Sequence, residues 1–234
     1  MKITAHRGNS DSTPENTISA IKSAIGERAD WAEIDVQETK DGELVVFHDG
    51  NLQRVTGVER NIWEISYHEL EKLDAGNWFA PQFLGEKVPK LKEVIEVARN
   101  KIKLNIELKL NGHQQSLAYR VVQVLQKSSF IEQCAVTSFD SATIEQVKNL
   151  DETISRGIII KELKDDILSL PVEIFSVHSA IVSRDFVQKA HHLNKKVHVW
   201  TVDAEADMQK MIKLGVDNII TNKPRLLKLL MASQ

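Results

Sequence analysis

Cysteine is nearly absent: Cys134 stands alone among 234 residues, so no intramolecular disulfide can form. That usage fits a reducing compartment. Charge of one sign is also lacking. The formal net charge is -3, which gives no general electrostatic case for nucleic acid or an anionic membrane as partner. No apolar run approaches the roughly 20 residues that span a bilayer, so no stable membrane insertion is expected. The opening Met1-Lys2-Ile3-Thr4-Ala5-His6 runs directly into a strand pattern with no charged-then-apolar leader, and a cytoplasmic protein is expected. No glycine-rich fingerprint follows that first strand, which weakens a dinucleotide-binding reading. No low-complexity tract or linker marks a second unit, and 42% hydrophobic residues suffice for a sizeable core. One domain over residues 1–234 is therefore expected. Nothing in the chain signals an oligomeric state.

What is present begins with Trp31-Ala32-Glu33-Ile34-Asp35-Val36-Gln37. It reads as a short strand, and its period of two puts Glu33 and Asp35 on one side. Two adjacent carboxylates repel, and a divalent cation relieves that cost through oxygen ligation. A solvated strand face is the alternative for an isolated Glu-x-Asp.

The surrounding pattern alternates. Lys2 to His6 is a strand ending in His6-Arg7-Gly8. A helix follows with Thr13 as N-cap, Pro14 at the first helical position and Glu15 at the positive dipole end. Its apolar face is Ile18, Ile21 and Ile25, and its end falls near Asp30. Lys40-Asp41-Gly42-Glu43 signals a hairpin turn into Leu44-Val45-Val46-Phe47, followed by His48-Asp49. Residues 50–89 are turn-rich, with one short helix near His68 to Leu73. Leu91 to Ala98 reads as a helix.

Strands are then expected at Lys103 to Lys109, Cys134 to Ser138, Arg156 to Ile160, Glu173 to His178, Lys196 to Val202 and Val216 to Thr221. Helices are expected around Leu117 to Gln126, Ser141 to Leu150, Arg184 to His192, Asp207 to Leu214 and from Pro224. Leaving the hairpin strand aside, eight principal strands alternate with helices. That predicts an α/β fold, a (β/α)8 TIM-type barrel with a small inserted subdomain over about residues 50–89; an open doubly wound sheet is the alternative.

In a barrel, chemistry collects at the C-terminal strand ends. The polar residues there are His6, Arg7, Glu33, Asp35, His48, Glu107 and Lys109. Glu107 is flanked by Ile106 and Leu108, and Lys109 faces the same way two residues on. The pair is either a simple intrastrand ion pair or a third metal ligand beside a phosphate contact. Carboxylates without a thiolate suit Mg²⁺ or Ca²⁺ rather than zinc. His6 and His48 beside such a cluster read as an acid-base pair, and Arg7 offers a planar fork for phosphate oxygens. His178 is a secondary lining candidate. Trp200 and Phe139 read equally as an apolar wall for a small alcohol or as barrel core.

These residues carry a family resemblance. His6-Arg7-Gly8, Pro14-Glu15-Asn16-Thr17, Glu33-Ile34-Asp35-Val36, Thr39-Lys40-Asp41-Gly42, Val45-Val46-Phe47-His48-Asp49, Leu73-Asp74-Ala75-Gly76, Asn105-Ile106-Glu107-Leu108-Lys109, Ser138-Phe139, Trp200-Thr201-Val202 and Gly215-Val216-Asp217 occur in that order. The chain resembles the glycerophosphodiester phosphodiesterases. The resemblance implies a TIM-type barrel with an inserted subdomain. It implies metal ligation by Glu33, Asp35 and Glu107, acid-base catalysis by His6 and His48, and phosphate contacts from Arg7 and Lys109; Trp200 is a candidate for substrate contact. The implied substrate is a small glycerophosphodiester, cleaved through a cyclic phosphate to sn-glycerol 3-phosphate and an alcohol. Three positions depart from the family pattern: Val55 and Lys90 stand where Thr is usual, and Asp203 where Asn is common. Two alternatives remain, a lysophospholipase D acting on lipid and a non-catalytic binder of phosphate ligands. Trp63, Trp78, Phe79 and Phe83 of the insertion read as its small core rather than as an acyl-binding surface.

Overall fold

The structure is a computed structural model that describes residues 1–163 and 167–232. Its strands are β1 (Lys2–Ala5), β2 (Trp31–Glu38), β3 (Leu44–Val46), β4 (Lys103–Leu108), β5 (Cys134–Ser138), β6 (Ser155–Ile160), β7 (Ile174–His178), β8 (Lys196–Trp200) and β9 (Asn218–Thr221). The pairing order is β1-β9-β8-β7-β6-β5-β4-β2-β3, and β1 also pairs with β2. Eight parallel strands therefore close into a barrel, with β3 attached outside as the antiparallel arm of the β2 hairpin. The TIM-type barrel read from the alternation is the fold observed.

Helices α1 (Ile18–Gly26), α2 (Gln53–Thr56), α3 (Tyr67–Leu70), α4 (Leu91–Ala98), α5 (Leu117–Lys127), α6 (Ser141–Leu150), α7 (Arg184–His192), α8 (Glu205–Leu214) and α9 (Pro224–Ala232) occupy the connections. Among the described residues the β6–β7 connection carries only a single 3-10 turn, Ile167–Ser169.

Strand alternation divides the barrel into two environments. One parity, including Ile34, Val36, Ile106, Val136, Phe175, Val177, Val197 and Val199, belongs to the large apolar core that also takes in residues from the helices. The other parity is polar and lines the barrel. Thr4 donates to Asn218 at 2.9 Å and Thr137 to Asn105 at 3.1 Å. Ser176 and His198 are buried on the same parity.

The start of α1 differs from the expectation. The N-cap is Thr17, whose hydroxyl accepts from the Ala20 amide at 3.2 Å. Thr13 instead donates to the Asn9 carbonyl at 2.7 Å. Asn16 sits at φ 58°, a left-handed conformation that a helix cannot include. Pro14 and Glu15 therefore lie in the preceding loop, and Glu15 serves an ion-pair network rather than a helix dipole. The helix ends at Gly26, short of Asp30, with Arg28 left-handed at φ 56°.

The segment between β3 and α4 has its own apolar cluster, formed by Val45, Phe47, Leu52, Val55, Ile62, Ile65, Leu70, Ala75 and Val88. The short helix there is one turn, Tyr67–Leu70, opened by a capping box between Ser66 and Glu69. Trp63 packs against this cluster. Trp78, Phe79 and Phe83 do not form its centre; they make a chain of edge-on rings, and Trp78 is 39% exposed. The expectation of an aromatic core for the insertion is thus corrected: aliphatic residues fill it, and three rings lie towards its surface.

Candidate active site

Strand register assembles the acidic cluster. Parallel pairing of β2 with β4 sets Glu33 opposite Asn105 and Asp35 opposite Glu107. One oxygen from each of Glu33, Asp35 and Glu107 lies within 4.8 Å of the other two. The first two side chains are buried and Glu107 nearly so.

This packing is costly without a cation. Burial, reinforced by the charges of Asp35 and Glu107, pushes the Glu33 carboxyl well above its usual range. Burial and the Asp35 charge raise Glu107 to about 7 despite the Lys109 ammonium 2.9 Å away. Burial would also raise Asp35, but Arg7, His48, Lys109 and the Asn16 hydrogen bond outweigh it and hold Asp35 low. Asp35 is thus the anchored anion, and the two glutamates are carboxylates short of positive charge. Three convergent oxygen donors with no sulfur are the donor set of a hard divalent ion, and the residues fit such a metal.

The loop after β1 delivers the flanking groups. Arg7 and Gly8 are left-handed, at φ 53° and 77°, and they fold the chain so that the Arg7 amide donates to Glu33 Oε2 at 2.9 Å. A Cβ on Gly8 would fall 2.6 Å from Ala20 Cβ, so only glycine fits. The Arg7 guanidinium donates to Glu15 at 2.9 Å and reaches Asp35 at 3.4 Å. Lys109, just past β4, lies 3.6 Å from Asp35.

His6 Nε2 stands 3.9 Å from Glu33 Oε2, and its Nδ1 is 2.7 Å from Asn222 Oδ1. Burial, and then the Arg7 charge, lower its pKa. His48 arrives from the β3 side. The Phe47 amide donates to the Asp35 carbonyl at 2.9 Å, and the buried Gln37 amide reaches the carbonyls of Phe47 and Asp49 at 2.8 and 2.9 Å. His48 Nδ1 then meets Asp49 at 2.7 Å.

His6, Arg7, Glu33, His48, Glu107 and Lys109 line a cavity of about 140 Å³ at the mouth of the barrel, together with Phe139, Lys161 and Trp200. Trp200 donates its indole N–H to the Ser176 carbonyl at 2.9 Å and meets Phe139 edge-on at 5.7 Å. It is a wall of the cavity. His178 packs edge-on against Trp200 and does not line the cavity. A larger crevice of about 260 Å³ lies by α6 and residues 170–172 and contains none of the cluster carboxylates or site histidines.

His6, Arg7, Glu33, His48, Glu107, Lys109 and Trp200 all line this cavity, and Asp35 joins them through the carboxylate cluster. The supporting residues were not singled out. Asn16 donates to Asp35 at 2.9 Å, Asp49 orients His48, and Arg54 joins Asp49 to Glu15. Asn16 and Asp49 stand inside the quoted motifs, whereas the bonds from Asn16 to Asp35 and from Arg54 to Glu15 span 19 and 39 residues and leave no periodicity to read.

The sequence model of the glycerophosphoryl diester phosphodiesterase family matches residues 6–226. A glycerophosphodiester phosphodiesterase of Caldanaerobacter subterraneus subsp. tengcongensis is 35% identical, over 96% of this chain and 95% of that protein. A human lysophospholipase D is 26% identical, over 97% of this chain and 85% of that protein. Among solved structures, an Oleispira antarctica phosphodiesterase in complex with its product sn-glycerol-3-phosphate matches with a TM-score of 0.94 at 28% identity. That match covers 99% of this chain and 97% of the other.

Proposed function

The chain belongs to the glycerophosphoryl diester phosphodiesterase family, and from that premise we propose that its barrel mouth hydrolyses small glycerophosphodiesters with a divalent ion held by Glu33, Asp35 and Glu107. The observation that carries this reading is a cluster of those three carboxylates at a cavity that Glu33 and Glu107 line together with two histidines and two cations. A binder of phosphate ligands needs the cations but has no use for paired proton-transfer groups.

A divalent ion held by Glu33, Asp35 and Glu107 would supply Lewis acidity to the phosphate and its neighbouring hydroxyl, and Mg²⁺ and Ca²⁺ both suit those oxygen donors. Arg7 and Lys109 orient the phosphate and stabilise the negative charge that grows on it. One histidine takes the glycerol 2-hydroxyl proton as that oxygen attacks phosphorus. The other gives a proton to the alcohol as its P–O bond breaks, leaving a cyclic phosphate. Water then opens the ring with the histidine roles reversed, giving sn-glycerol 3-phosphate. Trp200 and Phe139 exclude water from one side of the substrate. Phosphorus NMR during turnover of glycerophosphocholine tests this route. A transient cyclic phosphate is expected, and the analogue lacking the 2-hydroxyl should be inert; full-rate hydrolysis of that analogue would rule the route out.

A second reading, release of lysophosphatidic acid from lysophospholipid, is favoured by one feature. Arg54, which ties Glu15 to Asp49 beside the mouth, lies under Trp78 at 5.2 Å. The partly exposed rings of Trp78, Phe79 and Phe83 therefore adjoin the site and could seat an acyl chain. Turnover of lysophosphatidylcholine that drops with Trp78→Ala, while glycerophosphocholine turnover holds, would establish it.

A further inference from the structure

His6 does not contact the core of the barrel through its Nδ1 edge. It contacts a second, separate polar group assembled where β8 and β9 end. Asp203 lies three residues past Trp200, and Asn222 directly follows Thr221. The two oxygens of Asp203 receive three donors: the Asn222 amide N–H at 2.8 Å, the Asn222 side-chain Nδ2 at 2.6 Å and the Thr221 hydroxyl at 2.9 Å. A carboxylate in that setting only accepts. The NH₂ end of the Asn222 side chain must therefore face Asp203, which turns its carbonyl oxygen the other way. That oxygen is 2.7 Å from His6 Nδ1 and 2.7 Å from the Ser10 hydroxyl. An amide oxygen cannot donate, so Nδ1 must carry the proton. The ring's other nitrogen, Nε2, then holds a bare lone pair on the side that faces Glu33.

We propose that Asp203 and Asn222 are positioning residues which lock His6 in its Nδ1–H tautomer and leave Nε2 as the proton acceptor of the site. Orientation passes along the chain Asp203, Asn222, His6: an acceptor fixes an amide, and the amide fixes an imidazole. Neither Asp203 nor Asn222 lines the catalytic cavity, so both act through His6. The partner of His48 is different in kind. It is a carboxylate, Asp49, 2.7 Å from Nδ1. His6 Nε2 is thereby the atom placed to receive the first proton. The naming of roles rests on the phosphodiesterase reading; the tautomer does not.

The test reads the tautomer directly. Long-range ¹H–¹⁵N NMR on histidine-labelled protein at about pH 8 distinguishes a protonated from an unprotonated ring nitrogen, with His6→Gln to assign the signals. The wild type should show His6 protonated at Nδ1 and bare at Nε2. In Asp203→Asn the new amide can donate to the Asn222 oxygen. The Asn222 side chain then turns its NH₂ to His6, and the tautomer should invert. The kcat for glycerophosphocholine should fall at least about 100-fold, with KM changed less than about threefold, because substrate contacts are untouched. The exchange Asp203→Asn with Asn222→Asp again presents an acceptor to Nδ1, held by an amide donor. It should restore the tautomer and bring kcat to within about tenfold of wild type. A wild-type His6 protonated at Nε2, or an unchanged tautomer in folded Asp203→Asn, would overturn the proposal. So would a folded double variant with the Nδ1–H tautomer whose kcat stays as low as that of the single variant. If the wild type were inactive on every diester, the NMR result would still decide the tautomer, so failure of the two readings is distinguishable.

Discussion

Asp35 and Glu107 sit opposite each other on neighbouring strands, yet their surroundings treat them differently. Arg7, Lys109 and Asn16 converge on Asp35, and among the described residues Glu107 has Lys109 alone within ion-pair distance. Two buried like charges with too few counter-charges are a strain that a bound cation would relieve. Replacing Glu107 by the neutral isostere Gln should therefore act in opposite directions on activity and on stability. Metal-supported turnover should fall at least about 100-fold, since a ligand charge is lost. The melting temperature in EDTA should rise, because one uncompensated charge is gone. Thermal unfolding in EDTA and turnover with excess Mg²⁺ check both halves, and unchanged turnover would remove Glu107 from the site. At this scale the sequence was most informative about charge. Glu33, Asp35 and Glu107 each interrupt an apolar strand, and an interruption is visible without knowing the fold. Asn16, Asn222 and Gln37 were not legible because a neutral amide in a loop or strand has many ordinary uses, and their partners lie 19, 216 and 10–12 residues away.

Strand-helix alternation carried the fold at the scale of elements. Buried strands such as Leu104-Asn105-Ile106-Glu107-Leu108 and the amphipathic α4, which runs from Leu91 to Ala98 as expected, have a period that can be read. One-turn elements have none, so α2 and the short 3-10 turns of the insertion were invisible. The start of α1 failed for another reason. Thr13-Pro14-Glu15 has the local chemistry of a helix start, but the tertiary bond from Asn16 to Asp35 holds Asn16 left-handed and delays the helix to Thr17. Thr17→Ala should cost about 1 kcal/mol in denaturant unfolding and speed hydrogen exchange at the Ala20 amide. Thr13→Ala should leave Ala20 protection unchanged. Equal loss of protection in both variants would contradict Thr17 as the cap.

For the whole molecule, closure of the sheet creates an interior that the sequence could not display, because inward and outward faces are defined only once β1 meets β9. His198 illustrates the consequence. It is buried inside the barrel with its Nδ1 unpartnered among the described residues, and burial lowers its pKa to about 4. An unfolded histidine titrates near 6.5, so the unfolded chain takes up this proton first. The stability due to neutral His198 is complete above about pH 6.5 and is lost as pH falls towards 4, by about 3 kcal/mol at about 1.36 kcal/mol per pH unit. Glu33 and Glu107, with raised values, act in the opposite sense. Their stabilisation is present in acid and is lost as pH rises above about 4.5. The informative quantity is therefore the difference between wild type and His198→Gln. Denaturant unfolding should show wild type losing its advantage between pH 6.5 and 4, and a flat difference would contradict a buried neutral His198. Among the described residues no helix is long and apolar enough to cross a membrane. The central test of the account uses water-soluble diesters. That test is release of sn-glycerol 3-phosphate from glycerophosphocholine and glycerophosphoethanolamine, measured with Mg²⁺, with Ca²⁺ and with EDTA. The account predicts release with at least one ion and none in EDTA. Equal release in EDTA, or none from folded protein under any condition, would contradict a metal held by Glu33, Asp35 and Glu107 as the centre of a glycerophosphodiesterase.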